Sequence, residues 1–259
     1  MLKRLICLCA VALGLCLGIS ALAGAGIDPG SVVGLWVFDS DGDMEDVSGK
    51  GHDGAIEGNV EWVDGKFGLA VEVDGSSAVI FEHADDMNLE NFSLLAWVNI
   101  PTAPTDWWTV AAKDGWPDRN YGIWLASGTG LAHHSFTSGT VPNNNAVNAV
   151  TPVVPGEWYH VAATYDMSSS KLYINGKLDA EAPFSDTPNV TDAPFIIGRT
   201  DDGSYKLQGA VDELALFSVA LSDADIETIM TGGIRATVVA VTPSDRLSTT
   251  WAGIKSAAF

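Results

Sequence analysis

The chain reads as an all-β fold, a sandwich or barrel with one short helix near its C-terminal end, on three observations. Short β-type runs are broken by Gly, Asp, Asn and Pro. An Asn175-Gly176 pair sits between Leu172-Tyr173-Ile174 and Lys177-Leu178, where it supplies the positive φ angles of a two-residue hairpin turn. A capping-box pattern at Ser222-Asp223-Ala224-Asp225 opens the single convincing helix.

Taken in order, the 259 residues begin with Lys3, Arg4 and an apolar run from Leu5 to Leu22 that ends in Ala21-Leu22-Ala23. This reads as a secretory signal peptide, 1–23, cleaved near Ala23. Leu15 argues against lipid attachment at Cys16, because lipoprotein processing needs a small residue there. No later run approaches the roughly 20 apolar residues of a spanning helix, so no membrane insertion of the mature chain is expected. All three cysteines lie inside the signal, so stability must come from core burial without a disulfide. The location is secreted, extracellular or periplasmic.

Asp and Glu number 33 against 13 Lys and Arg, and loss of Lys3 and Arg4 with the signal moves the net charge from −20 to −22. A phosphate backbone would be repelled, so nucleic acid is excluded as a partner. Converging carboxylates instead make a hard divalent cation worth asking about.

In Phe92 to Ile100, Phe92, Leu94, Ala96, Val98 and Ile100 share one face and Ser93, Leu95, Trp97 and Asn99 the other. Bulk on both faces marks a central strand. Trp158 to Tyr165 has the same character and turns through Asp166 to Ser170 into Lys171-Leu172-Tyr173-Ile174, a hairpin that the Asn175-Gly176 turn extends with a second one. The polar, Pro- and Asn-rich stretch from Thr137 to Pro155 reads as a long surface loop. After Ser222, Ile226, Ile229 and Met230 share a helix face, and Gly232-Gly233 ends the helix.

Four stretches carry a family resemblance. They are Gly34-Leu35-Trp36-Val37-Phe38-Asp39 with Asp46 to Gly54; Gly65 to Gly75 followed by Phe92 to Ile100; Glu157-Trp158-Tyr159-His160-Val161-Ala162 with Leu172 to Gly176; and Gly209-Ala210-Val211-Asp212-Glu213-Leu214-Ala215-Leu216-Phe217. In this order they resemble a laminin-G-like jelly roll of the concanavalin A-like lectin/glucanase superfamily. The resemblance implies a two-sheet antiparallel jelly-roll β-sandwich over 33–235, followed by a C-terminal strand and tail, 236–259. It does not by itself imply an activity.

Laminarinase-type glucanases share this architecture and carry Glu-x-Asp-x-x-Glu on a strand, which aims two carboxylates into one cleft. Glu72-Val73-Asp74 gives the first half, but Gly75-Ser76-Ser77 replaces the second glutamate, and Asp74-Gly75 reads as a turn. The mature chain also has no Cys, Gly-x-Ser-x-Gly, His-Glu-x-x-His or phosphate loop. His133 and His134 point to opposite strand faces and cannot both ligate one metal, and His160 reads as structural, through a hydrogen bond within the sheet. The expectation is a non-catalytic binding or adhesion module for carbohydrate or an extracellular protein. Alternatives are a laminarinase-like hydrolase and a purely structural extracellular protein.

Two sites are expected. Asp39 to Asp46 imitates an EF-hand start but fails at Met44 and Lys50, where Gly and a bidentate Glu are required. The resemblance implies another structural Ca2+ site, joining the first strand's loop to the last strand through Asp39, Asp46, the main-chain oxygen near His52, and Asp212. For ligand binding, Trp107-Trp108, the run from Asp114 to Tyr121, and Trp124 combine aromatic faces with polar side chains. Trp108, Trp116, Asp118, Arg119 and Tyr121 are the candidates, with Trp116, between Gly115 and Pro117, least explained as core.

Overall fold

A computed structural model describes residues 26–141 and 143–239. The expected signal peptide, and the tail beyond 239, lie outside them. In chain order the strands are β1 (Val32–Trp36), β2 (Gly54–Glu57), β3 (Glu61–Asp64), β4 (Leu69–Asp74), β5 (Ala78–Phe81), β6 (Phe92–Asn99), β7 (Trp108–Gly115), β8 (Asp118–Leu125), β9 (Leu131–Ser138), β10 (Asn143–Pro152), β11 (Tyr159–Tyr165), β12 (Ser169–Ile174), β13 (Lys177–Pro183), β14 (Phe195–Ile197) and β15 (Gln208–Phe217). Helices α1 (Asp223–Gly232) and α2 (Ile234–Thr237) follow.

The strands form two antiparallel sheets. One runs β13-β12-β11-β6-β15-β4-β3 with β1 also paired to β15; the other runs β10-β9-β8-β7-β14-β5-β2. This is the expected sandwich. Phe92, Leu94, Ala96 and Val98 of β6 enter the core between the sheets, where Trp36, Phe81 and Phe195 pack ring on ring. Leu95, on the opposite face of β6, joins a second apolar cluster with Val32, Leu35, Phe217, Ile226, Ile229 and Ile234. The outer face of the eight-stranded sheet, to which β1 contributes Val32 and Leu35, is therefore covered here by the two helices.

Local chemistry explains the joints. Asn175 (φ 50°) and Gly176 (φ 75°) both take positive φ, as a type I′ turn requires, and Asn175 Oδ1 also accepts from His160 N at 3.0 Å. Ser222 and Asp225 complete the reciprocal capping box. Gly233, at φ 75°, reorients the chain so that Ile234 is buried and α2 forms. Residues 236 and 237, expected in a final strand, end that helix instead. The stretch expected as a loop from Thr137 to Pro155 is largely a hairpin arm: β10 pairs with β9 from Asn143↔Ser138 to Asn148↔His133. Its alternation, Asn145, Val147 and Ala149 buried with Asn144, Asn148 and Val150 exposed, suits an edge strand. Asp179 of β13 holds this edge from the other sheet, accepting from Val150 N, Thr151 N and Thr151 Oγ1 at 2.5, 3.0 and 2.6 Å.

Candidate functional site

Among the described residues, no helix lies over the outer face of the seven-stranded sheet. Cross-strand pairing there lines up Asn148, His133, Trp124 and Thr109, one from each of β10, β9, β8 and β7. Gly122 makes room for this row: a Cβ on it would stand 2.2 Å from the Trp124 ring. His133 Nδ1 pairs with Asn148 Oδ1 at 2.8 Å, and the His133 ring meets Trp107 edge-on at 4.9 Å. Burial pushes the His133 imidazole down in pKa, partly opposed by the Asn148 hydrogen bond.

Simple alternation would place Arg119 with Tyr121 and Ile123, facing the core. The ladder shifts: Lys113 pairs with Tyr121 but Asp114 pairs with Arg119, which leaves Asn120 as an extra residue. This bulge turns Arg119 onto the outer face beside Trp124, while Tyr121 stays inside. Asn120 is itself held by Leu89, donating to Leu89 O at 3.1 Å and accepting from Leu89 N at 2.8 Å. Arg119 donates through Nε and Nη2 to Asp114 Oδ2 at 3.0 and 2.9 Å, and through Nη1 to Ser135 Oγ at 2.7 Å and Asn144 Oδ1 at 3.3 Å. Its guanidinium lies 4.5 Å from the Trp124 ring centroid. Asp114 is buried, and its Oδ1 has no partner among the described residues. Burial raises the Asp114 pKa against the pull of Arg119.

Around this floor lie two adjoining compartments. The first, about 310 Å³, is lined by Trp107, Trp116, Arg119, Trp124, His133, Asn144 and Tyr205. The second, about 240 Å³, is lined by Asp114, Trp116, Arg119, Thr200, Asp202 and Tyr205. They share Trp116, Arg119 and Tyr205, so they form one cleft. Trp116 is 66% exposed and Tyr205 39%, large aromatic surfaces left at the rim. The Tyr205 segment is tied to the sheet by Thr109 N donating to Tyr205 O at 2.7 Å.

Of the five expected ligand residues, the cleft gathers Trp116 and Arg119. Trp108 and Tyr121 point into the core instead, and Tyr121 donates its hydroxyl to Met87 O at 3.0 Å. Asp118 lies off the cleft, accepting from Asn189 Nδ2 at 2.7 Å. Asn144, Thr200, Asp202 and Tyr205 were not anticipated. They arrive from distant segments, and no local pattern in the sequence points to them.

The expected calcium ligands do not assemble as a set. Asp46 already accepts from Leu35 N, Ser48 N and His52 N, and His52 O accepts from the Trp36 indole at 2.8 Å. Both oxygen sources are thus engaged within their own loop. Asp39 and Asp212 instead flank the Gly65–Gly68 turn: Asp39 pairs with Arg235 at 2.7 Å, and Asp212 Oδ2 accepts from Lys66 N and Phe67 N at 2.7 and 2.9 Å. Asp212 Oδ1 is buried without a partner among the described residues, and burial lifts that carboxyl to about 7. Among the described residues, no group of three or more His, Cys, Asp or Glu is arranged to hold a metal ion. His133 and His134 do take opposite faces, His134 donating inward to Gly122 O at 2.8 Å. The His160 ring packs edge-on against Trp97 at 5.4 Å with its Nδ1 unpartnered among the described residues, while the residue's backbone bonds Asn175, donating to Oδ1 at 3.0 Å and accepting from N at 2.8 Å.

The residues behind the glucanase comparison lie on the other sheet. Asp74 accepts from Ser76 N and Oγ and from Ser77 Oγ, which holds its carboxyl down at about 2 as a turn anchor. Glu72 stands opposite Glu61.

A sequence-family model described as the concanavalin A-like lectin/glucanases superfamily matches residues 73–227. The chain belongs to that superfamily. Solved structures of similar fold include the binding domain of Paraclostridial Mosquitocidal Protein 1 (TM-score 0.65, 15% identity, 78% of this chain and 52% of that one). Domain 4 of AbnA, a GH43 extracellular arabinanase from Geobacillus stearothermophilus, in complex with arabinotriose, matches with TM-score 0.63 and 21% identity over 77% of this chain and 98% of that one. The binding domain of Botulinum Neurotoxin DC in complex with SialylT matches with TM-score 0.63 and 16% identity over 79% and 51%. This superfamily member thus spans about half the length of the toxin domains and nearly all of the arabinanase domain. At these identities the likeness concerns the fold. A comparison with curated proteins finds no match. Among the described residues of this superfamily member, no helix is long and apolar enough to cross a membrane.

Proposed function

We propose that this protein is a non-catalytic carbohydrate-binding module of the extracellular or periplasmic space, and that the cleft on the outer face of the seven-stranded sheet is its glycan site. The observation that carries this reading is the exposed pair Trp116 and Tyr205 beside buried, fixed polar groups in one two-compartment cleft. Sugar rings offer apolar faces to aromatic side chains and hydroxyls to acceptors such as Asp114 and Asn144. Two of the similar folds described above were solved with saccharide-type ligands, arabinotriose and SialylT, which supports the reading. Against hydrolysis stands the use of Asp74 as a turn anchor.

The test is calorimetric titration of the protein with a panel of oligosaccharides, repeated on Trp116→Ala. Binding that weakens about tenfold or more in the variant, roughly the 1.4 kcal/mol of one stacked contact, is the expected result. Absence of binding to every glycan would overturn it, and release of reducing ends on incubation would replace it with the hydrolase.

For calcium we propose a reduced site, Asp39 and Asp212 about the Gly65–Gly68 turn, with a structural role. A melting temperature that rises in millimolar CaCl2 over EDTA, and a rise lost in Asp212→Ala, supports it. Superimposable melts in calcium and EDTA eliminate it.

A further inference from the structure

The charges built into the cleft specify which glycans it accepts. Arg119 is the cation lining both compartments, and two carboxylates, Asp114 and Asp202, line the second. A guanidinium has five N–H donors, and four of those on Arg119 are engaged: two on Asp114 Oδ2, one on Ser135 and one on Asn144. The Trp124 ring packs against the guanidinium. The paired N–H fork that recognises a sugar carboxylate or sulfate is thus already spent on Asp114.

What Asp114 lacks is a hydrogen donor for its second carboxylate oxygen. Asp114 is 3% exposed, lines the second compartment, and leaves Oδ1 without a partner among the described residues. A buried acceptor in that state needs an O–H or N–H to offset its desolvation. Asp202 accepts from Thr200 Oγ1 at 2.6 Å and Ser204 N at 3.0 Å and so stays a charged wall of the same compartment. A hydroxyl satisfies Asp114, whereas an anionic substituent brings no proton and meets two carboxylates. We infer that the cleft selects uncharged glycans, with a hydroxyl donating to Asp114 Oδ1 and a sugar ring against Trp116, and discriminates against glycans carrying carboxylate or sulfate groups. Arg119 then acts as a positioning residue that holds Asp114 and Asn144 in place. This inference rests on the carbohydrate-binding reading above.

The experiment titrates the full chain with length-matched oligosaccharides: neutral fragments of arabinan, xylan, mannan and β-glucan against trigalacturonate, a sialylated trisaccharide and a heparin fragment. It is repeated on Trp116→Ala and Asp114→Asn. The expected result is Trp116-dependent binding of a neutral fragment, with each anionic one at least about tenfold weaker. The overall charge of −20 would repel anions without help from the cleft, and Asp114→Asn separates the two causes. Freed of its carboxylate, Arg119 should narrow the neutral-to-anionic ratio several-fold, and an unchanged ratio overturns the assignment to Asp114. Should Asp114→Asn fail to fold, the comparison is made on the parent protein at 0.5 M NaCl, where long-range repulsion is screened and discrimination within the cleft must persist. Anionic fragments binding as tightly as neutral ones overturn the inference and leave the carbohydrate site standing. No binding by either class overturns both.

Discussion

The two outer faces of this sandwich are treated differently. On the eight-stranded sheet, Leu95, Ala162, Tyr173 and Phe217 are roofed by Ile226, Ile229 and Ile234 of the helices, and Tyr173 donates its hydroxyl to Asp223 at 2.8 Å. On the seven-stranded sheet the corresponding layer is absent among the described residues, and the face carries His133, Arg119, Asn144 and aromatic rings. A sheet face left open to water normally becomes plainly polar. Tryptophans and an almost fully engaged arginine kept there point to a surface shaped for a ligand, while the roofed face serves stability.

The largest expected effect concerns histidines. His160 lies on the roofed face beside Trp97 and His134 in the core against Phe92, and burial depresses each to about 3 from 6.5. In both, the unfolded chain binds protons that the folded one refuses. Stability is therefore whole above about pH 6.5 and declines as pH falls towards 3, by an amount on the order of a few kcal/mol per histidine. Asp212 and Glu213, lifted to about 7 by burial, act in the opposite sense and favour the fold at low pH. The informative quantity is consequently a difference. Urea unfolding of the protein and of His160→Leu should diverge progressively below pH 6, the variant losing less, and parallel curves would show that His160 is protonated in the fold.

Next in size is the roof itself. Leu95→Ala removes a fully buried side chain from the second cluster and should cost about 2–5 kcal/mol in urea unfolding. Glycan affinity in the folded fraction should stay within about twofold, because the cleft lies on the other sheet. A loss of affinity equal to that of a cleft variant would mean that the faces are coupled and the division drawn above is wrong.

How much of this was legible from the residues follows the same division. The roofed side could be anticipated because its determinants are local: Ser222 and Asp225 cap α1, and the apolar residues on both faces of β6 announce two layers of packing. The open side could not, for three physical reasons. A bulge at Asn120 cancels the period-two rule between Arg119 and Tyr121, so one of two neighbouring candidates is in the cleft and the other in the core. An edge strand rich in Asn, as in β10, has the composition of a loop. Tyr205 and Asp202 reach the cleft only through long-range folding. Asp46 shows a fourth limit, since a carboxylate that collects backbone N–H groups in a loop has the same sequence signature as one that ligates a cation.

A smaller effect sharpens the roofed side's dependence on local geometry. Asn175→Ala keeps the turn at φ 50° but loses both the tolerance of Asn for that region and the bond from His160 N. A loss of about 1–2 kcal/mol is expected. Asn175→Gly should recover part of it, because glycine restores the backbone freedom without the hydrogen bond, and an equal loss in both variants would assign the whole effect to the bond.

The smallest expected effect is the most discriminating. Trp116 is a large aromatic side chain whose surface is mostly in water, so its removal takes little apolar area out of the fold. Trp116→Ala should change unfolding free energy by no more than about 0.5 kcal/mol, the range of surface substitutions away from packed features. Its distance from the Arg119 guanidinium, 6.0 Å from the ring centroid, is at the outer limit of a cation–π contact and adds little at an exposed site. A variant that melts with the parent protein yet loses its glycan separates binding from stability in a single residue. A destabilisation of 2 kcal/mol or more would instead show that Trp116 closes over the cleft and supports the sheet beneath, making this side, too, a packed layer whose open cleft is not the form that predominates in solution.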